Sequence, residues 1–205
     1  MNSESPRTDG GERGSARLPD VAATHALAAE LARALAPGDV LALVGDLGAG
    51  KTEFTRGLAA ALGVPADAGV CSPSYLLLNL YAGGRVPLAH FDAYFLREAD
   101  DLQRAGLDDL RRQGAVAVVE WADRVADALP ADALWLELTA LHGAGPADTV
   151  RLACWSRGAP PVAAGEPQVA AGDAPVAAGG AGGAGGARGG AGEARGGATP
   201  AGSGR

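Results

Sequence analysis

Cysteine is scarce in this chain: 205 residues hold two, Cys71 and Cys154. They stand far apart and match no metal-ligand spacing. That excludes a disulfide framework or a zinc finger and points to free thiols in a reducing compartment. Long apolar runs are also absent. No stretch approaches the roughly 18 residues of a membrane span, and Met1-Asn2-Ser3-Glu4-Ser5-Pro6-Arg7 lacks the apolar region of a secretory signal. A cytoplasmic protein with no membrane partner is expected. There is no basic surplus either. The formal net charge is -7, which argues against a nonspecific nucleic-acid binder, because a phosphate backbone attracts basic surfaces. From Arg157 onward, no apolar residue larger than Val occurs among the Gly, Ala and Pro. Such a segment buries too little surface to offset its ordering entropy. Three parts are therefore predicted: a disordered lead-in over 1–16, one folded domain over 17–156, and a Gly/Ala-rich disordered tail over 157–205.

Within the folded part, Gly45-Asp46-Leu47-Gly48-Ala49-Gly50-Lys51-Thr52 fits the pattern G-x-x-x-x-G-K-[ST]. The glycines allow a tight backbone whose N–H groups turn toward an anion. Lys51 would reach the terminal phosphates, and the Thr52 hydroxyl would take a place on Mg²⁺. Context supports the match. The apolar run Asp39–Val44 precedes the loop, as a buried parallel strand would. Phe54, Leu58 and Leu62 follow it at every fourth position, marking the buried face of a helix that Gly63 and Pro65 stop. Asp46, Leu47, Gly48, Ala49, Gly50, Lys51, Thr52 and Glu53 are the expected nucleotide contacts.

The remaining elements predict an α/β, P-loop NTPase-like three-layer fold: a mixed sheet, helices on both faces and antiparallel hairpin additions. Leu18-Pro19 reads as a short edge strand. Asp20 caps a helix with Leu27, Leu31 and Leu35 on one face. Residues 75–81 and 86–91 read as an antiparallel pair joined by Ala82-Gly83-Gly84-Arg85. Short charged helices break near Gly106. A buried strand at 115–119 closes on Glu120-Trp121, a helix spans 122–129, and strands at 134–138 and 149–155 form a hairpin at one edge of the sheet.

Turnover requires a carboxylate near the loop, at the end of a neighbouring strand. Asp92 and Glu120 both end apolar strands. Glu120 follows the more continuous strand and is the better match to a metal-side acid. Asp92 then orients the attacking water, or both acids hold the metal through water. Lys51, Asp92 and Glu120 are the expected catalytic residues, with Thr52 and Glu120 on the metal. His90 reads as a core or hydrogen-bonded histidine rather than a base, and Cys71 as a small apolar filler. The chain has no Asn-Lys-x-Asp guanine-reading motif, so ATP is favoured. It has no Leu-Ser-Gly-Gly-Gln stretch and no arginine-rich lid.

Four blocks, Gly45–Thr52, Ser72-Pro73-Ser74-Tyr75, His90-Phe91-Asp92-Ala93-Tyr94 and Val119-Glu120-Trp121, resemble in order and spacing the TsaE (formerly YjeE) family. The resemblance covers residues 18–156. It implies an Mg²⁺-dependent ATPase that is slow alone and associates with the TsaD–TsaB pair, which transfers a threonylcarbamoyl group to the adenosine beside the anticodon. ATP hydrolysis would reset that pair between turnovers, and tRNA would be met only through the complex. The same resemblance makes Ser72, Ser74 and Tyr75 a switch-like loop and puts Trp121 beside the site. This chain departs from the family pattern at Ser74, where a threonine is usual, and at Phe95, where an arginine is usual. The tail has no counterpart. Two other readings are a small-molecule kinase on a P-loop fold and a non-enzymatic nucleotide-gated binding module.

Overall fold

The computed structural model describes residues 7–9, 13–96, 98–141 and 150–161. All of them fall within one unit, Met1–Glu166. The chain order is β1 (Arg7–Asp9), β2 (Arg13–Leu18), α1 (Val21–Ala34), β3 (Val40–Val44), α2 (Lys51–Ala61), β4 (Leu78–Tyr81) and β5 (Leu88–Asp92). There follow α3 (Ala99–Arg104), α4 (Leu107–Arg112), β6 (Val116–Glu120), a 3-10 helix (Ala122–Ala128), β7 (Leu134–Ala140) and β8 (Arg151–Arg157).

The strands form one eight-stranded sheet in the order β1-β2-β8-β7-β3-β6-β5-β4. Its centre is parallel: β3 lies between β7 and β6, and β5 runs parallel to β6. Antiparallel strands flank that centre, β4 beyond β5 on one side and β8, β2 and β1 beyond β7 on the other. This is the expected mixed α/β sheet with hairpin additions. The β7–β8 hairpin is not its edge, however, because β2 pairs with β8 over six positions, Arg13↔Ser156 to Leu18↔Arg151. Residues 7–9 and 13–16, expected in a disordered lead-in, belong to the sheet, and so does Arg157, expected in the tail, which ends β8 opposite Leu134. Arg13, Gly14, Ser15 and Ala16 show no apolar alternation, and strand pairing is made by backbone groups that every residue carries.

Side-chain parity sorts the core into two layers. Leu41 and Leu43 of β3, Val116 and Val118 of β6, Leu134, Leu136 and Leu138 of β7, and Ala153 and Trp155 of β8 pack with Leu27, Leu31, Phe54 and Leu58 of α1 and α2. Val40, Ala42, Ala89, Phe91, Ala117 and Val119 face the opposite layer, with Leu102, Leu107 and Val125. Helices thus cover both faces, which is why the central strands read as continuous apolar runs. Asp20 caps α1 as expected, accepting from the Ala23 N–H at 2.7 Å, a contact worth about 1 kcal/mol. Phe54 has no exposed surface; truncating such a residue to Ala costs about 3–5 kcal/mol.

Several elements differ locally from expectation, the strands of 115–119, 134–138 and 149–155 by one or two residues at their ends. The strand predicted from residue 75 begins at Leu78. Leu76 and Leu77 instead donate to the Pro73 carbonyl, and Leu77 adopts φ 67°, which ends the extended chain. The strand predicted from residue 86 begins at Leu88, after Pro87, which has no N–H for the ladder. The segment predicted as a helix over 122–129 is 3-10, broken at Val125. The expected turn at 143–148 and the tail from residue 162 lie outside the described residues.

Candidate nucleotide site

The Gly45–Thr52 loop joins the end of β3 to the start of α2, in the strand–loop–helix order expected. Phe54 makes the first intrahelical bond of α2, to the Gly50 carbonyl at 2.8 Å. The N–H groups of Lys51, Thr52 and Glu53 precede it and point out of the helix start, where the dipole favours an anion. Glycine is required at both ends of the loop. Gly45 has φ 142°, and a Cβ there would be driven into the Leu138 carbonyl; Gly50 has φ 103°. The Lys51 ammonium folds over the loop and donates to the carbonyls of Gly45 (2.5 Å) and Asp46 (2.9 Å). It also lies 3.7 Å from the centre of the Trp121 ring, a cation–π contact. Burial pushes Lys51 below the ordinary lysine value, against the opposing pull of Glu120, Asp92, Asp123 and Asp46.

The acids come from the neighbouring strands. Asp92 ends β5 and Glu120 ends β6, and the two are register partners. Glu120 continues the parity of Val116 and Val118, and Asp92 that of Leu88 and His90, so both face the α1–α2 layer from which the loop opens. Each is 3% exposed, so two carboxylates sit buried beside one ammonium.

Their partners differ. Glu120 accepts from the Thr52 hydroxyl, with Oγ1 2.9 Å from Oε1 and 3.2 Å from Oε2. His90 Nε2 lies 2.8 Å from the same Oε1. Asp92 Oδ2 accepts from the hydroxyls of Ser72 and Ser74, each at 2.6 Å, and Oδ1 accepts from the Tyr94 N–H at 3.0 Å. The turn after Pro73 brings both serines to one oxygen, so the hydroxyl at position 74 does its work without the methyl of a threonine. Tyr75 is 96% exposed and stacks on Phe95, whose ring meets Tyr94 edge-on at 4.8 Å. Tyr94 in turn packs 4.9 Å from Trp121. An aromatic wall thus runs from the Ser72–Tyr75 turn to Lys51.

Other expected contacts fall less centrally. Leu47 stands at the loop tip, 89% exposed. The Glu53 carboxylate is held by His25 (2.8 Å) and Arg56 (2.6 Å), so a nucleotide contact there falls to its backbone. Burial works against Glu53 ionising, but the hydrogen bonds from Arg56 and His25 prevail and keep it below the ordinary glutamate value. Cys71 is exposed rather than an apolar filler: its N–H donates to the Tyr81 hydroxyl, and Asn79 Nδ2 donates to its carbonyl (3.2 Å) and reaches its Sγ (3.8 Å).

A family model described as "Threonylcarbamoyl adenosine biosynthesis protein TsaE" matches residues 18–145. The chain belongs to the TsaE family. It is 42% identical to the TsaE of Bacillus subtilis over 111 residues, 54% of this chain and 68% of that protein. The TsaE of Streptomyces coelicolor is 38% identical over 128 residues, 61% of this chain and 84% of the relative. A crystal structure of Bacillus subtilis YdiB superposes with TM-score 0.59 at 31% identity, covering 72% of this chain and 87% of that one.

One residue of this TsaE-family chain escaped the sequence reading. Arg151 begins β8, a hundred residues beyond the loop, yet its Nε donates to the Ala49 carbonyl at 2.7 Å. A Cβ on Gly50 would lie 2.7 Å from that same Nε. The arginine therefore lies across Gly50 and holds the outer side of the loop. Its parity with Ala153 and Trp155 brings it to this face, but only the pairing of β8 with β7 reveals the proximity. The Val-Arg-Leu pattern of a strand carries no signal for it.

The residues present suit Mg²⁺, which usually takes one or two carboxylates together with phosphate oxygens rather than a protein cage. A hydroxyl touching a buried carboxylate at the mouth of a phosphate loop is such a set. Among the described residues no group of three or more His, Cys, Asp and Glu gathers as a cage would need, and no helix is long and apolar enough to cross a membrane.

Proposed function

We propose that this TsaE-family chain binds ATP with Mg²⁺ and hydrolyses it on behalf of the machinery that makes threonylcarbamoyladenosine beside the anticodon of tRNA. Its partners would be the TsaD and TsaB homologues of the same cytoplasm. tRNA would be met through that complex, consistent with the acidic net charge of -7. The observation that carries the reading is Thr52 Oγ1 at 2.9 Å from Glu120, directly after a lysine folded over a phosphate loop. The relatives named above are threonylcarbamoyladenosine biosynthesis proteins, and an acceptor-phosphorylating kinase is not among them.

In this reading the loop N–H groups and the α2 start hold the phosphates, and Lys51 supplies a positive charge at their terminal end. Thr52 and Glu120 would hold Mg²⁺, which when bound would neutralise charge on the phosphates. Asp92 orients the attacking water, and its tie to Ser72 and Ser74 joins that task to the position of the turn. Water adds to the γ-phosphorus and passes a proton to a phosphate oxygen, and the bond to the β-phosphate oxygen breaks, giving ADP and phosphate. Trp121 and Tyr94 shield one side of the site.

The basal rate is expected to be low. Arg151, the arginine at the loop, donates to the loop backbone, and a transition-state arginine is worth about 10³–10⁵ in rate in other P-loop enzymes. The test is ATP hydrolysis by the purified chain with and without its own TsaD and TsaB homologues. Slow turnover raised by the pair is expected. Tight ATP binding with no turnover in either condition would leave the nucleotide-gated binding module instead.

A further inference from the structure

We infer that His90 is a positioning residue for Glu120, an inference that rests on the metal-side role proposed above for that acid. His90 has no exposed surface, and its Nε2 lies 2.8 Å from Glu120 Oε1. A carboxylate only accepts hydrogen bonds, so the Nε2 carries the hydrogen. The Nε2–H donor of His90 goes to Glu120.

The other ring nitrogen sharpens the case. His90 Nδ1 is buried and finds no hydrogen-bond partner among the described residues. A buried polar atom left without a partner costs stability. A histidine kept only to fill the core would be better replaced by an apolar residue of similar size, which would remove that cost. What an apolar residue could not do is donate to Glu120.

Glu120 needs such a donor. The terminal torsion of a glutamate is broad, so the carboxylate plane turns freely unless it is held. Thr52 holds it from α2, but the Thr52 hydroxyl is also the group expected on the metal, so it cannot serve as a fixed anchor. His90 holds it from β5, a central strand. The register gives His90 this reach: Asp92 lies opposite Glu120 and His90 opposite Val118, so the imidazole extends diagonally to the end of β6 from two residues before Asp92. A single strand thus carries one acid of the site and the anchor of the other. Outer partners of this kind change metal affinity or activity by about 10–100-fold when removed.

The test uses the full chain and three variants. His90→Gln places an amide N–H near the reach of Nε2, His90→Asn near the reach of Nδ1, and His90→Leu offers no donor. Three quantities are measured: ATP affinity in EDTA, the Mg²⁺ concentration giving half-maximal ATP turnover, and the nitrogen-15 spectrum of the wild-type imidazole. The expected result is an Nε2–H tautomer whose proton exchanges faster in Glu120→Ala. His90→Leu and His90→Asn should need about 10–100-fold more Mg²⁺, with ATP affinity in EDTA unchanged, and His90→Gln should recover most of the loss. An Nδ1–H tautomer, or His90→Leu with wild-type Mg²⁺ dependence, would overturn the inference. If His90→Leu does not fold, the Gln and Asn pair decides, and Asn performing as well as Gln overturns it. If the wild type shows no Mg²⁺-dependent turnover, the ATPase reading fails, and the tautomer with its response to Glu120→Ala still decides the place of His90.

Discussion

The site has two halves built in different ways. On the phosphate side, eight consecutive residues, Gly45–Thr52, supply the cradle, and their partners are mostly backbone: Lys51 on the Gly45 and Asp46 carbonyls, Arg151 on the Ala49 carbonyl. On the acid side, four separate segments converge through side chains: Ser72 and Ser74 on Asp92, and Thr52 and His90 on Glu120. A backbone cradle depends on conformation, so glycines at the right places nearly suffice. A side-chain network depends on register and on which face each strand end presents. The first half suits tight, constant binding. The second half depends on the placement of the Ser72–Ser74 turn, whose two hydroxyls hold Asp92 Oδ2 while the Tyr94 N–H holds Oδ1.

Removing both hydroxyls should expose that difference most strongly. The hydroxyls of Ser72 and Ser74 share one Asp92 oxygen and lie 2.7 Å from each other, so losing both is set at the worth of one hydrogen bond to a charged group, about 1.5–3 kcal/mol. Ser72→Ala with Ser74→Ala is therefore expected to lower ATP turnover by roughly 10–100-fold, while ATP affinity changes far less. Each single variant should do much less, because the remaining hydroxyl still reaches Asp92 Oδ2. Steady-state turnover and a fluorescent-nucleotide titration measure the two quantities. Equal losses in affinity and turnover would mean that the two halves are not separable.

Arg151 gives the mirror case. Arg151→Gln is expected to weaken ATP affinity about 10-fold, the scale of one charge-assisted hydrogen bond, with the Mg²⁺ dependence of turnover preserved. Titration in the presence and absence of Mg²⁺ checks it. An altered Mg²⁺ dependence with intact affinity would place Arg151 in the wrong half.

The same contrast explains what the sequence made legible. The loop, its strand and its helix could be read because they are contiguous, and because Phe54, Leu58 and Leu62 repeat with the helical period. The two strand-end acids could be found because each closes an apolar run. Their division of labour could not, since β5 and β6 are covered on both faces and carry no alternation to tell which way Asp92 or Glu120 points. His90 read as a core residue, and it is fully buried; its contact with Glu120 depends on a parallel register between β5 and β6. Arg151 was out of reach for the same kind of reason, as was β2 before Leu18, whose pairing runs through the backbone of residues with no apolar pattern.

The smallest effect expected concerns Glu53, at the border between the loop and α1. Its folded value lies below the ordinary 4.5. Its contribution to stability is therefore complete above the unfolded value and is lost as pH falls through the lower folded one. Glu53→Gln should flatten the dependence of stability on pH below 4.5 and leave turnover near wild type. Denaturant unfolding across the acid range measures it. An unchanged slope would show that His25 and Arg56 do not hold this carboxylate in solution.

The most direct test of the account compares the two acids by their effect on the gain in ATP affinity that Mg²⁺ gives over EDTA. Glu120→Gln should abolish that gain and keep the metal-free affinity. Asp92→Asn should keep most of the gain and lose turnover by about 10²–10³-fold. The opposite pattern, with the Mg²⁺ gain lost in Asp92→Asn and kept in Glu120→Gln, would contradict the assignment of Glu120 to the metal and Asp92 to the water.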